Sequence, residues 1–357
     1  MRAVALLAVI AIHAQSHALG PASHAVDMLA RFSVPAFVLL AGVLLAYRYT
    51  GKPLGVPFMR RRFSRTLLPW LVWAPLYIVF TIYIGELGSD STSIVNWLAL
   101  GGGHLWFLLL IPQLYLLLLV WPRRGRWMLA VIAMVVQTAL CLMRLYVVLP
   151  GWGSSLVLTY AVEIFPFWIG YFAVSVALGD ALQRPSRLRR VINVWRGPLA
   201  AVSALAAAGS GYLLLAVQYP GAPYAPTFLS GTGSFLNPVL PLFVFSVAAL
   251  VALASPPLMQ RARFVRAAIT EVSETSLGVY IVHPMLLFFL ATYVLKGWIA
   301  HGGAISWVAF GTLIVLTLAA SLLVVRVLSA TPVAVTLGTP RQPLLGRRAQ
   351  RERREAA

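Results

Sequence analysis

Arg2 and His13 stand eleven residues apart in the otherwise apolar opening run MRAVALLAVIAIHAQSH. At about 100° and ~1.5 Å per residue, that spacing makes three helical turns and roughly 16 Å, so both side chains lie on one face. In a bilayer, one then sits at the edge and the other near the middle. A histidine at that depth faces protein or a water-filled cavity rather than acyl chains, which makes it a candidate for chemistry. The same pattern also fits a histidine hydrogen-bonded into a helix bundle, with an arginine that only marks the positive end of a span.

Further constellations carry ionisable or hydroxyl groups. FMRRRFSRTLLPW clusters Arg60, Arg61, Arg62 and Arg65, with 62 and 65 on one helical face. Permanently charged, bidentate guanidinium groups at a membrane surface suit phosphates, whether of a ligand or of lipid headgroups. EVSETSLGVYIVHPMLL places Ser276, Tyr280 and His283 at i, i+4 and i+7 on one face. His283 reaches the depth of His13, and two histidines at one level define a buried polar centre, which a carbonyl freed by Pro284 is able to join. In TYAVEIFPFWIGY, Glu163 falls inside an apolar span, where a carboxylate needs a partner; orienting an imidazole or pairing with Arg144 are the roles open to it. His104 and Trp106 in HLWFL read either as interfacial belt residues or as the lip of an acceptor site. His13, His17 and His24 raise the question of zinc, but no HExxH-type acid or cysteine partner accompanies them, so no metal site is expected.

The elements that position these groups follow from composition. Of 357 residues, 60% are hydrophobic and 10% charged, and the mean hydropathy is +0.86. No soluble fold hides that much apolar surface, so the chain is read as an all-α polytopic membrane protein. Ten apolar spans are predicted at 3–18, 30–48, 67–85, 105–121, 127–149, 156–179, 197–218, 236–254, 273–295 and 304–328. All 28 Lys and Arg except Arg31, Arg144 and Lys296 then fall on one side of the membrane. That alternation predicts both termini in the cytoplasm and accounts for the net charge of +19 without a nucleic-acid partner. The single cysteine, Cys141, excludes an intramolecular disulfide and a thiolate metal cluster. The first helix is expected to be retained rather than cleaved as a signal peptide. Residues 1–330 are read as one transmembrane domain, and 331–357 as a basic, disordered cytoplasmic tail lying against anionic lipid headgroups. No internal repeat points to an inverted-repeat transporter.

Taken in order, Arg2…His13 as R-x10-H, SVPAFVLLAG, RRFSRTLLPW with Arg62 and Arg65, HLWFL with Trp106, and SLGVYIVHP with His283 resemble the membrane acyltransferase-3 family of bacterial O-acyltransferases. The resemblance spans nearly the whole chain. It implies a ten-helix enzyme of the cell inner membrane that moves an acyl group, usually acetyl, from acyl-coenzyme A to a hydroxyl, commonly of a cell-surface or lipid-linked sugar. It also implies that the histidine of R-x10-H and the arginines before the third helix are essential. Two departures stand out. Ala36-Phe37 and Ala41-Gly42 replace the usual Phe-Phe and Ser-Gly, so a hydroxyl role there is lost; and Arg2 follows Met1 directly, which raises the expectation of a native start upstream.

Acyl transfer from a thioester needs a base for the acceptor hydroxyl, stabilisation of the oxyanion, and a place for the donor's phosphates. His13 is the expected base, with Arg2 on the donor's path. Arg60, Arg61, Arg62 and Arg65 are assigned to acyl-coenzyme A, and Trp106, His104, Glu163, Ser276, Tyr280 and His283 to acceptor and support. Acyl-coenzyme A is then a co-substrate, with no bound cofactor, and the partners are a carbohydrate or glycolipid acceptor and membrane lipids. A proton-coupled transporter with Arg2, His13, Glu163 and His283 as its relay is the rival from another class. A degenerate member acting as a glycan-assembly scaffold is a second, and a small secondary metabolite is an alternative acceptor.

Overall fold

The computed structural model describes residues 1–18, 23–49, 54–122, 124–146, 161–183, 192–216, 235–261, 263–301 and 303–338. Among them, apolar runs without water to satisfy their backbone become helices, and no strand is present. The helices are α1 (Arg2–Ala18), α2 (Ser23–Ala30), α3 (Ser33–Tyr49), α4 (Val56–Ser64), α5 (Leu67–Tyr83), α6 (Ser91–Ala99), α7 (Phe107–Val120) and α8 (Arg126–Tyr146). They continue as α9 (Ile169–Ala181), α10 (Arg196–Ala216), α11 (Leu240–Arg261), α12 (Arg263–Phe289), α13 (Lys296–Ala300) and α14 (Gly303–Ser329). Short 3-10 turns cover Gly103–Trp106, Phe165–Trp168 and Pro332–Leu337, and a π turn, Leu290–Val294, extends α12.

Among the described residues, seven stretches are long and apolar enough to cross a membrane: Ala25–Tyr49, Val56–Tyr83, Ser91–Val120, Arg126–Met143, Arg196–Ala216, Phe264–Val294 and Gly303–Ser329. Three shorter apolar helices, Arg2–Ala18, Phe165–Ala181 and Leu240–Pro256, occupy the remaining predicted spans. The chain is an all-α, multi-pass membrane protein. Of the described helices, α4 and α6 lie outside the predicted spans. The arginine cluster is helical, because Pro57 sits in the first turn of α4, where its missing N–H costs nothing, and Phe58 is buried as an inward anchor. A separate short helix, α6, precedes the fourth predicted span, because Asp90 caps it by accepting from the Ser93 N–H at 2.9 Å and its hydroxyl at 2.6 Å.

Two apolar cores meet along α1. Ala5 and Ile12 belong to the core built around α3, α7 and α9; Leu6, Val9, Ile10 and Ala14 belong to the core built around α5, α12 and α14. A helix with buried residues on both flanks presents its remaining face to the seam, and that face carries Arg2 and His13. The first core is tight where α3 crosses α9. A Cβ on Gly42 would lie 1.7 Å from the Ser175 hydroxyl, and one on Gly179 would lie 2.5 Å from the Val43 carbonyl, so each helix supplies a glycine to the other.

Residues 332–338, counted with the basic tail in the sequence reading, form a packed 3-10 helix whose Ala334 and Leu337 are fully buried. Apolar PVAVTL has side chains to bury, unlike the arginine-rich stretch after it. Residues 339–357, the 219–234 connection, the start of the sixth predicted span and the side chains of His24 and Arg144 lie outside the described residues.

Candidate functional site

His13 meets two other imidazoles at the seam. Its ring centroid lies 5.2 Å from that of His283 and 6.3 Å from that of His104, and the latter two are 5.9 Å apart. Three elements distant in sequence deliver them: α1, the 3-10 turn before α7, and α12.

Each partner histidine has an identifiable local cause. Pro284 has no N–H to give the Tyr280 carbonyl four residues earlier, and His283 takes that place, with Nδ1 2.9 Å from the Tyr280 oxygen and 3.1 Å from that of Val279. A ring nitrogen facing carbonyl oxygens carries the proton, so His283 is the Nδ1–H tautomer and keeps its lone pair on Nε2. That Nε2 is fully buried and has no hydrogen-bond partner among the described residues; the same holds for Nε2 of His104. His104 is placed by three consecutive glycines, 101 to 103, at φ 82°, 80° and 63°, in the left-handed region that disfavours side chains. The Trp70 indole N–H pins the loop by donating to the Gly101 carbonyl at 2.7 Å.

Two tyrosines complete the centre. Tyr77 of α5 stands edge-on to His104 at 4.4 Å and donates its hydroxyl to the Ile281 carbonyl at 2.7 Å, beside the proline kink. Tyr280 lies 5.6 Å from His104 and 6.1 Å from His283, ring to ring, and its hydroxyl donates to the His104 carbonyl.

From Tyr280 a cavity of about 340 Å³ runs toward the arginine end of the bundle. Arg2, Arg62, Arg65, Tyr115, Glu274, Ser276 and Tyr280 are among its walls, closed on the apolar side by Phe37, Leu40 and Phe107. Its size falls within the roughly 300–1,000 Å³ of small-molecule sites. The Arg62 guanidinium sits among the rings of Tyr49, Phe58 and Tyr115 at 5.8, 5.5 and 5.8 Å, an aromatic surround that holds its planar head at the wall. The predicted i, i+4 pair Ser276 and Tyr280 lines this cavity, while His283 lies beyond Tyr280.

The remaining sequence candidates are elsewhere. Arg60 and Arg61 are exposed and are not among the cavity walls; Arg61 Nε donates to the Pro57 carbonyl at 3.2 Å. Trp106, read as a lip residue, is 5% exposed and packs on Trp168 and Phe235 at 5.4 and 5.9 Å. Glu163 is buried, with Oε2 unpartnered among the described residues, and its main-chain oxygen accepts from Gln113 Nε2 at 2.7 Å. His283, His104, Arg31 and His17 are the charged or ionisable groups that bear on His13.

Arg31 is a group the sequence reading passed over. It is buried, paired with Asp27 at 2.6 Å, and lies 4.5 Å over the Phe235 ring. Its signal was present, since it is one of three cations that break the charge alternation. Tyr77 and Tyr115, two aromatics among many in apolar runs, gave no such signal.

No curated protein and no solved structure matches the chain. A family model described as an acyltransferase domain matches residues 1–326, a span that contains all three histidines, the arginine cluster and the proline kink. The protein is therefore a multi-pass membrane member of the acyltransferase-3 family.

Proposed function

We propose that this membrane acyltransferase moves an acyl group, acetyl in the simplest case, from acyl-coenzyme A to a hydroxyl of a cell-surface or lipid-linked sugar, with His13 as general base. The observation that carries this reading is a cavity lined by Arg2, Arg62 and Arg65 and also by Tyr280, which stands next to the histidines. Phosphates neutralised at the arginine end leave the flexible pantetheine arm to run inward along the face of α1, over the roughly 16 Å that separates Arg2 from His13. The thioester carbonyl then arrives beside the three imidazoles.

His13 takes the proton of the sugar hydroxyl as its oxygen attacks the thioester carbon. The oxyanion so formed collapses, the carbon–sulfur bond breaks, and the imidazolium returns its proton to the coenzyme A thiolate. The His283 ring lies 5.2 Å from that of His13, where a positive imidazolium develops, and Tyr77 and Tyr280 hold the carbonyls of Ile281 and His104 by hydrogen bonds. In this reading the arginine end faces the cytoplasm, where acyl-coenzyme A is made, and the membrane is the cell's inner one.

The rival transporter reading makes Arg2, His13, Glu163 and His283 a proton relay. Release of free coenzyme A thiol from acetyl-coenzyme A by the purified protein in detergent separates the two, with water standing in for the sugar. The enzyme releases thiol slowly but above a His13→Ala control. Release no faster than the control at any donor concentration contradicts the proposal.

A further inference from the structure

We infer that residues 332–338, which lie beyond the family domain, supply a wall of the donor cavity and help set its affinity for the phosphate-bearing end of acyl-coenzyme A. The inference rests on the donor assignment made above. The family match stops at 326, inside α14. After α14 the chain turns back: the Thr331 hydroxyl caps the 3-10 helix by accepting from the Val333 N–H at 3.2 Å, and Ala334 and Leu337 are fully buried. Trp73 of α5 donates its indole N–H to the Thr336 carbonyl at 3.1 Å, tying the segment to the helix that follows the arginine cluster.

Gly338 ends the segment on the cavity surface, sharing it with Arg2, Arg62 and Arg65. Its φ of 65° is left-handed, and a Cβ there would lie 2.6 Å from the Leu277 side chain and 2.8 Å from the Arg65 carbonyl. A residue without a side chain is thus required at the point where this segment touches the backbone of a phosphate-binding candidate. The wall acts in two ways. It excludes lipid from the arginine end of the cavity, and it braces the Arg65 main chain at the α4–α5 junction, where helical bonding is interrupted. Neither contribution is available to a chain that ends with the family domain.

Coenzyme A itself, which binds without reacting, is the probe, with its affinity measured by titration calorimetry on purified protein in detergent. Four proteins are compared: the full chain, a chain ended after Gly338, a chain ended after Thr331, and full-length Gly338→Val. The last two should bind about tenfold more weakly, and the chain ended after Gly338 within about twofold of the full chain. Trp73→Phe, which keeps the ring and deletes the bond to Thr336, gives an intermediate loss and serves if a truncated chain fails to fold. Melting temperature and gel filtration of the ligand-free proteins report the fold separately from affinity. Unchanged affinity in Gly338→Val and in the chain ended after Thr331 overturns the inference while leaving the donor assignment intact. Equal losses at both end points also overturn it, moving the contribution to the arginines that follow. A full chain that binds no coenzyme A overturns the donor assignment and this inference together. Repeating the titration with phosphatidylglycerol added shows whether a lipid phosphate occupies the same place: competition lowers the apparent affinity of Gly338→Val more than that of the full chain, and an equal effect on both overturns the lipid-excluding role of the wall.

Discussion

At the residue scale, His283 and His13 do different things with the same side chain. The carbonyls of Tyr280 and Val279 fix which nitrogen of His283 bears the proton, so its contribution separates into a structural half and a chemical half. Asparagine reproduces the Nδ1 donor but not the Nε2 lone pair. His283→Asn should keep the fold, with a melting temperature close to that of the parent, and lower acyl transfer by about 10²-fold. An equally active His283→Asn confines that histidine to holding the kink. Tyr280→Phe deletes the hydroxyl donated to the His104 carbonyl and is expected to slow transfer while leaving coenzyme A binding near its parent value; unchanged turnover would show that the His104 loop needs no such brace. Much of this was legible beforehand. The i, i+4, i+7 spacing put Ser276, Tyr280 and His283 on one face, and Pro284 announced a free carbonyl. His104 was visible only as an ambiguous interfacial residue, because its place beside His13 depends on a loop closure that no local spacing encodes.

At the element scale, close approach between helices carries the geometry. Gly42 and Gly179 let α3 and α9 pack with their backbones nearly in contact, and α3 in turn supplies Phe37, Leu40 and Ala41 to the cavity. Gly42→Leu must push the helices apart and should destabilise the detergent-solubilised protein by about 1–3 kcal/mol, read as a lowered melting temperature. An unchanged melting temperature would mean that the two helices are not packed as described. Gly101 combines a φ of 82° with a Cβ position 2.4 Å from the Trp106 Cβ, so Gly101→Ala has no room and no favourable conformation. Its expected effect is a displaced His104 turn and a loss of transfer larger than the loss of stability. Nothing in the sequence around Gly42 says which helix approaches it. The sequence reading also missed that the arginine cluster is itself helical, because charge-rich connections between spans read as loops, while Pro57 at a first turn and a single inward Phe58 suffice to order one.

At the scale of the whole molecule, α1 lies on the seam between two apolar cores, and the histidines and the arginine-walled cavity both open onto that seam. Each of the ten apolar spans predicted holds a helix among the described residues, seven of them long and apolar enough to cross a membrane and three shorter. Connections rich in basic residues alternate with poor ones along those ten spans. That pattern predicts an even number of crossings, so a green fluorescent protein fused after Ala357 should fluoresce, and a periplasm-dependent phosphatase at the same place should be silent. An active phosphatase would remove the cytoplasmic assignment of the tail and of the cavity's arginine end. The central claim is that acyl groups travel from the arginine-walled cavity to a sugar hydroxyl through the histidine centre. Its most direct test is transfer of radiolabelled acetyl from acetyl-coenzyme A into the glycan fraction of expressing membranes, comparing the parent with His13→Ala and Arg62→Ala at matched protein levels. The account predicts label with the parent, none with His13→Ala, and with Arg62→Ala a loss that raised donor concentration partly restores. Label transferred equally by His13→Ala, or parent membranes that neither transfer nor bind acetyl-coenzyme A, would contradict it.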